Sequence, residues 1–195
     1  MFQIPSDYEE LCKPTRYCES DDPEIVELSK KITNNKKTPR EAAQALFEWV
    51  RDNIKYDIAA ILGAKEVLKK KSSCCVGKTN LFVALCRAIG IPTRYIMFKC
   101  NLKSTIKDLS TSVVRHVAAE IYVDRKWIIV DPAYEKSVGK MYEPSKFGVP
   151  TWTKWWDVQR VKSLPRGFSF LQKLFFASNS EVKKVRNILK GIRNQ

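Results

Sequence analysis

The chain contains a single histidine, His116, and two other residues around it have types and surroundings that suit chemistry. Upstream, Cys75 follows a polar loop and precedes an apolar stretch that ends at a glycine. Downstream, Asp131 follows the apolar residues of a predicted strand. A thiol, an imidazole and a carboxylate in this chain order suggest thiolate chemistry, in which His116 takes the thiol proton and Asp131 orients the imidazole ring.

Cys75 lies at the predicted start of a helix that runs from about Val76 to Ile89. The backbone amides and the dipole at a helix N-terminus favour negative charge, so a thiol there should ionise more readily than a free one. Cys86 and Cys100 lie inside apolar runs, which is typical of buried structural cysteines. Cys75 is therefore the candidate nucleophile.

The relative placement of His116 and Asp131 follows from a predicted β-hairpin. Two apolar segments flank Asp124-Arg125 and are predicted to be strands joined by a two-residue turn. In that register Ala118 faces Asp131, and because alternate side chains share a face, His116 is the diagonal neighbour of Asp131. A three-residue loop would turn Asp131 to the other face. Each residue also has a structural alternative, since lone histidines are often structural and Asp-Pro commonly opens a turn.

The remaining pattern predicts helices followed by strands. Proline after Asp22 indicates a helix start, and Thr38-Pro39-Arg40-Glu41 has the form of a capping box. The predicted helices cover 23–32, 39–54 and 64–70 before the one at Cys75, and the predicted strands cover 94–100, 113–123 and 126–130. Residues 1–20 are expected to be irregular, and a polar loop at 102–112 is a candidate gate for the site.

The chain resembles the transglutaminase-like superfamily of papain-related cysteine enzymes, whose cores read Cys…Gly-Ile-Pro-x-Arg…His…Asp-Pro. The resemblance covers roughly residues 20–135. Its motifs are carried by Ala45–Tyr56, Leu85–Tyr95, His116–Val123 and Trp127–Tyr134. The family's nucleophile lies fifteen residues before the glycine, at Cys75 rather than Cys74. Two positions beside the substrate depart from the pattern: Ser73-Cys74 replaces a common glycine, and Ala118 replaces a common aromatic residue.

The resemblance implies an α+β papain-like fold, with N-terminal helices and the nucleophile at a helix N-terminus packed on a small antiparallel sheet. It also implies an acyl-enzyme mechanism on amide bonds without a cofactor. The Cys75 backbone amide is one expected oxyanion donor, and Tyr56 or Trp49 is a candidate for a second. Because the chain has no calcium-loop pattern, hydrolysis is favoured over crosslinking. A transglutaminase proper and a non-catalytic binding or scaffold module remain alternatives.

Within the superfamily, Tyr17–Val26 and the twin cysteines are similar to archaeal members. Some of those members are endoisopeptidases that cut the peptide cross-links of pseudomurein. The chain also resembles single-domain archaeal and bacterial transglutaminase-like proteins of unknown substrate. The expected substrate class is therefore a peptide, a protein or a cell-wall peptide.

Two other site types fit the sequence poorly. Gly77-Lys78-Thr79 imitates the end of a phosphate-binding loop, but Ser72 stands where the first glycine should be and no buried strand precedes it. A zinc site is not expected, because there is no C-x-x-C pair and Cys75 and Cys86 lie about three helical turns apart.

Length, charge and cysteine use bound the remaining expectations. The 195 residues are predicted to form one domain, with a C-terminal extension over 136–195. That extension holds Trp152, Trp155 and Trp156, interpreted as core-capping or sugar-stacking residues. It also holds a basic amphipathic helix at 180–192, which is expected to pack on the body, to fill a partner groove or to contact a membrane surface weakly over 180–193.

The net charge of +14 favours acidic partners, but no nucleic-acid-reading motif is present. The first residues lack the apolar core of a signal peptide, and no apolar run is long enough to span a bilayer. Six cysteines without a framework spacing suggest a reducing, cytoplasmic location. A disulfide from Cys18 to Cys12 or to Cys100 stays open, as does a leader lost from a trimmed chain.

Overall fold

A computed structural model describes residues 2–57, 62–102, 113–136, 144–149 and 156–164. The helices are α1 (Pro23–Thr33), α2 (Pro39–Asn53), α3 (Ala64–Lys70) and α4 (Cys75–Ala88), preceded by a 3-10 helix over Ser6–Leu11. The strands are β1 (Lys55–Tyr56), β2 (Ser72–Ser73), β3 (Thr93–Leu102), β4 (Val113–Val123), β5 (Lys126–Val130) and β6 (Trp156–Leu164). The fold is the α+β arrangement that the sequence predicts.

The helices begin where their capping residues indicate. Asp22 precedes α1, and its side chain accepts a hydrogen bond from the Glu24 amide at 3.0 Å. Thr38 and Glu41 form a complete capping box at the start of α2, in which each side chain accepts from the other residue's amide. The predicted helix limits agree with the observed ones to within a residue or two. The 3-10 helix at Ser6–Leu11 was not predicted, since that region reads as irregular.

Helix α4 forms the centre of the molecule, and all fourteen of its residues are buried. Helices α1, α2 and α3 contact it, as do strands β3 and β4. The helix is followed by Gly90, whose φ of +85° belongs to the left-handed region that glycine adopts freely. A Cβ at Gly90 would lie 2.5 Å from the Phe2 carbonyl oxygen, so the N-terminal segment closes tightly over the end of α4.

The main sheet has four strands in the order β5-β4-β3-β6, and every neighbouring pair is antiparallel. The shorter strands β1 and β2 pair in parallel, with Tyr56 opposite Ser73. Strand β2 ends one residue before Cys74-Cys75, so it leads the backbone into the start of α4. Both sheets contact the helix that carries the candidate nucleophile.

Strand β6 was missed by the sequence analysis, which assigned no strand after residue 130. The apolar residues of β6 are Trp156, Val158, Val161 and Leu164, so the alternation that indicates a strand breaks after the second of them. The pairing with β3 shifts register between Met97 and Phe98, which is the signature of a β-bulge. The bulge inserts one extra residue into the pairing near the point where the apolar alternation of the sequence breaks.

Several other predictions fall on residues outside the described ranges. These are the loop at 102–112 beyond its first residue, Trp152, Trp155, the amphipathic helix at 180–192 and most of the C-terminal extension over 136–195. None of the described helices has the length and hydropathy that a membrane crossing requires. Cys12 and Cys18 are free thiols.

The turn between β4 and β5 gives a test of the local fold. Asp124 and Arg125 have φ values of 53° and 60°, as a two-residue type I′ turn requires. Arginine is strained in this region, whereas glycine is not. We expect Arg125→Gly to raise the free energy of unfolding by about 0.5 to 1 kcal/mol in urea denaturation. Lys126→Gly, on the adjacent strand residue, should lower it; an equal loss in both variants would contradict the turn geometry.

Candidate active site

Cys75 is the first residue of α4 and its exposure is 8%. The preceding Cys74 is the N-cap residue, with an extended backbone (φ −75°, ψ −179°), and it is half-buried. The first amides of α4 have no carbonyl partner within the helix. The structure therefore places two adjacent thiols where a helix N-terminus favours negative charge.

His116 lies on β4 and its Nε2 atom is 2.7 Å from Oδ2 of Asp131. The two side chains are 3% and 2% exposed. The other carboxylate oxygen of Asp131 accepts a hydrogen bond from the Ala133 amide at 3.0 Å, which fixes the carboxylate plane. With Nε2–H donating to Asp131, the neutral imidazole ring has Nδ1 as its basic atom.

The predicted hairpin register is confirmed and explains this contact. Val123 pairs with Lys126 and Ala119 pairs with Val130, so the next position along places Ala118 opposite Asp131. His116 then shares a face with Ala118, and the imidazole reaches the carboxylate diagonally. Ala118, which is two residues after His116 and opposite Asp131, has a side chain small enough to leave room for this contact.

Cys75 approaches the strand that carries His116. The backbone amide of Val117, the residue after His116, donates a hydrogen bond to the Cys75 thiol and favours its charged form, and the thiol lies within electrostatic range of Asp131. The Thr79 hydroxyl of α4 donates to the Val117 carbonyl at 3.2 Å. Both contacts join α4 to β4 at Val117, the residue that follows the candidate base.

The pKa values of the two adjacent thiols are shifted in opposite directions. The hydrogen bond from the Cys75 thiol, together with the Gly77 and Val76 amides, lowers the pKa of Cys74 to about 6. Its hydrogen bond to Cys74, burial and the charge of Cys74 raise the pKa of the Cys75 thiol. The hydrogen bond between the two thiols therefore couples their ionisation, an effect that could not be anticipated from the sequence.

Tyr134 contacts the imidazole and was also missed. Its ring stacks on that of His116, with centroids 6.1 Å apart and planes 11° apart. The Tyr56 ring lies on Tyr134 with the centroids 5.1 Å apart. The backbone of Tyr134 is held by Ser145, whose hydroxyl accepts from the Tyr134 amide at 3.1 Å and whose amide donates to the Tyr134 carbonyl at 2.9 Å. The structure thus connects Tyr56 to the candidate triad through Tyr134.

Trp49, the other candidate for a second oxyanion donor, has a different neighbour. Lys71 Nζ lies 5.2 Å from the centroid of its indole ring. Lys71 follows α3, so this contact joins α2 to the end of α3. Tyr56 is thus linked to the candidate triad through Tyr134, whereas the contact of the Trp49 ring is with Lys71.

A buried ion pair lies beside the site. Lys78 Nζ donates to the carbonyls of Arg51 at 3.1 Å and Ile54 at 2.5 Å, and it lies 3.4 Å from Oε2 of Glu135. The side chain of Lys78 is fully buried and that of Glu135 is 5% exposed. Both carboxylate oxygens of Glu135 accept from the Tyr56 amide, at 3.1 and 3.0 Å. Burial lowers the pKa of Lys78 to about 8, against the opposing charge of Glu135.

The sequence contained a signal for Lys78. It is a lysine within the apolar stretch of a helix, where a charge must be paired or become costly. The resemblance of Gly77-Lys78-Thr79 to a phosphate-binding loop drew attention to the same residue for another reason. In the described part of the chain, no group of three or more His, Cys, Asp or Glu residues is arranged to hold a metal ion.

Comparisons with known proteins agree with this architecture. The sequence profile of the transglutaminase-like superfamily matches residues 26–132, more than half of the chain. No curated protein matches. A candidate cysteine protease from Cytophaga hutchinsonii is a similar solved structure, at 20% identity and a TM-score of 0.56, covering 83% of this chain and 54% of its own. The periplasmic domain of TgpA from Pseudomonas aeruginosa, bound to ethylmercury, matches at 16% identity and a TM-score of 0.49, over 67% of this chain and 50% of its own. The chain thus spans about half the length of these two structures.

The thiol pair predicts a specific response to replacement of the N-cap cysteine. Because the hydrogen bond with Cys74, burial and the charge of Cys74 raise the pKa of Cys75, Cys74→Ser should lower that pKa. We expect iodoacetamide to modify Cys75 about tenfold faster at pH 7 in this variant, which corresponds to one pKa unit. Mass spectrometry of the peptide that contains residue 75 measures the rate. Cys86→Ser, which changes a buried thiol in the same helix, is the control and should leave the rate unchanged.

The lowered pKa of Lys78 predicts how stability depends on pH. The unfolded chain keeps this proton up to about pH 10.5, whereas the folded chain begins to release it near pH 8. Between pH 7 and 9 the unfolded state binds more protons, so the free energy of unfolding should rise by about 1 kcal/mol from this group. Urea denaturation at both pH values should show this rise in the wild type relative to Lys78→Met/Glu135→Gln. A parallel change in both proteins would show that Lys78 is not the source. Lys65→Met, at a half-buried lysine whose pKa is raised by its hydrogen bond to Asp22 rather than lowered, should behave as the wild type does.

Proposed function

Because the chain belongs to the transglutaminase-like superfamily, we propose that it is a cysteine-dependent acyl-transfer enzyme acting on amide or isopeptide bonds. Cys75 is the nucleophile, His116 is the base and Asp131 orients the imidazole. The observation that carries this proposal is the 2.7 Å contact between His116 Nε2 and Asp131 Oδ2, buried on the strand whose next amide reaches the Cys75 thiol. The contact leaves Nδ1 to accept the thiol proton.

In the first step, His116 Nδ1 takes the proton from Cys75, and the sulfur attacks the carbonyl carbon of the substrate amide. The carbonyl oxygen becomes an oxyanion, for which the Cys75 backbone amide at the start of α4 is a donor by position. Tyr56 is a candidate for a further contact with the substrate, since its ring packs against Tyr134 beside the imidazole. The imidazolium then gives its proton to the leaving amine, and a thioester remains on Cys75.

In the second step, the acceptor attacks the thioester carbonyl while His116 Nδ1 takes its proton. The C–S bond then breaks, and the imidazolium returns the proton to the sulfur of Cys75. Water as the acceptor yields a carboxylic acid and makes the enzyme a protease, isopeptidase or amidase. A primary amine yields a new amide and makes it a crosslinking enzyme. We favour water, because the sequence has no calcium-loop pattern.

The charge of the chain bears on the substrate class. A net charge of +14 favours an acidic peptide, protein or cell-wall peptide. If this charge steers the substrate, acidic sequences should be enriched among the peptides cleaved from a library, and added salt should reduce the enrichment. A cytoplasmic site of action remains the prediction that the cysteine content makes.

A panel of variants tests the proposed mechanism. We expect Cys75→Ser and His116→Ala each to lower kcat/KM by at least about 10³-fold, because these groups act on the reacting atoms. Asp131→Asn should lower it by about 10²- to 10⁴-fold, because Asp131 orients the imidazole. Cys74→Ser should retain activity and serves as the matched control. The assay is mass spectrometry of a peptide library that includes acidic sequences, with a fluorescent primary amine present so that hydrolysis and amine transfer are both measured.

The same assay identifies the intermediate. Acid quenching during turnover should leave an acyl group on the peptide that contains Cys75. If Cys75→Ser cleaves as fast as the wild type, or if the acyl group is found on Cys74, the assignment of the nucleophile is wrong. If no protein in the panel reacts and Cys75 behaves as an ordinary thiol with or without His116, the chain is a non-catalytic module of the superfamily.

A further inference from the structure

The buried Lys78–Glu135 pair joins the two parts of the chain that carry the candidate triad. Lys78 lies one helical turn after Cys75 in α4, and Glu135 lies four residues after Asp131. The pair also reaches the end of α2 through the Arg51 and Ile54 carbonyls. An ammonium group has three donors, and these three acceptors account for all of them. The cluster therefore connects α2, α4 and the segment after β5.

Three residues of the segment 131–135 make contacts at or beside the candidate site. Asp131 bonds the imidazole, and its second oxygen accepts from Ala133. Tyr134 stacks on the imidazole. Glu135 then ends the segment in the ion pair and accepts the Tyr56 amide. Because the segment spans only four residues from Asp131 to Glu135, we expect a displacement of Glu135 to shift Tyr134 and Asp131 as well.

Stability alone does not require an ion pair here. Buried pairs of this kind can often be replaced by apolar side chains without loss of stability, because desolvation offsets their attraction. Apolar packing would, however, allow small displacements that directional hydrogen bonds prevent. Errors of about 1 Å in the placement of reacting groups can lower rates about 10²-fold. The bonds of this cluster thus supply positional accuracy that an apolar pair would not.

We infer that Lys78 and Glu135 are positioning residues, which hold Asp131 and Tyr134 against His116 from the helix that bears Cys75. The inference rests on the proposed function for its catalytic meaning, but its structural content, a fixed His116–Asp131 contact, can be measured separately. Glu135, Asp131 and Asp52 are the acidic groups that act on Lys78, and Arg51 contributes its carbonyl.

The single histidine makes that contact directly observable. A low-field proton resonance from Nε2–H, protected from exchange by Asp131, should be the only histidine signal of its kind in the NMR spectrum. In Lys78→Met/Glu135→Gln, where the new amide oxygen would still accept from the Tyr56 amide, we expect this resonance to exchange with water and disappear. In the Cys74→Ser background, modification of Cys75 by iodoacetamide at pH 7 should slow at least tenfold, and kcat should fall more than KM changes.

Two further variants serve as a milder test and as a control. Glu135→Gln alone keeps the Lys78 bonds to α2 and should show a partial loss of the resonance, even if the double variant does not fold. Lys65→Met/Asp22→Asn removes a second ion pair, of 2.6 Å between α3 and the start of α1, and should change neither the resonance nor the rate by more than twofold.

The outcomes separate this inference from the proposed function. A folded double variant that retains the protected resonance and modifies Cys75 within twofold of its parent overturns the positioning role, whatever the activity of the wild type. A resonance lost in the variant, with a wild-type Cys75 that is indifferent to His116, supports the positioning role and refutes the catalytic proposal. Loss of both resonance and reactivity supports both.

Discussion

The structure depends on a helix that is buried on every side. All fourteen residues of α4 are buried, and four of them are polar side chains of the kind that must find partners when they leave water. Each of the four donates to a backbone carbonyl in a different part of the chain. Lys78, Thr79, Asn80 and Arg87 donate to the carbonyls of Ile54, Val117, Leu62 and Thr93, respectively. Because an unpaired group would cost about 1 to 3 kcal/mol, these bonds fix the surrounding elements as well as the helix.

The candidate site depends on two of these bonds. Cys75 begins the helix, and the bond from Thr79 holds the strand beside His116 at a point one turn along. The bond from Lys78 holds the end of α2 and, through Glu135, the segment that follows Asp131. The candidate base and the candidate orienting carboxylate therefore come from two segments that are held by the helix carrying the candidate nucleophile. Polar residues in the core explain why groups far apart in sequence meet with short contacts.

The features that follow from local chemistry could be predicted from the sequence. Two residues between two apolar runs define the hairpin register, and the register alone places His116 and Asp131 on one face. Capping residues likewise define the starts of α1 and α2. The contacts of Lys78 and Tyr134 could not be predicted, because Lys78 meets Glu135 across 57 positions and ring stacking depends on the path of a short segment without regular structure. Strand β6 was hidden by its bulge, which breaks the alternation that periodicity requires.

The twin cysteines show how one local substitution changes the electrostatics of the whole site. At the N-cap, the hydrogen bond with the Cys75 thiol and the first amides of α4 lower the pKa of Cys74 to about 6, so these amides do not act on Cys75 alone. The hydrogen bond with Cys74, burial and the charge of Cys74 raise the pKa of Cys75, so in the proposed mechanism Cys75 gives its proton to His116 against the field of Cys74. Ionisation of Cys75 therefore becomes easier whenever Cys74 is neutralised or its charge is screened.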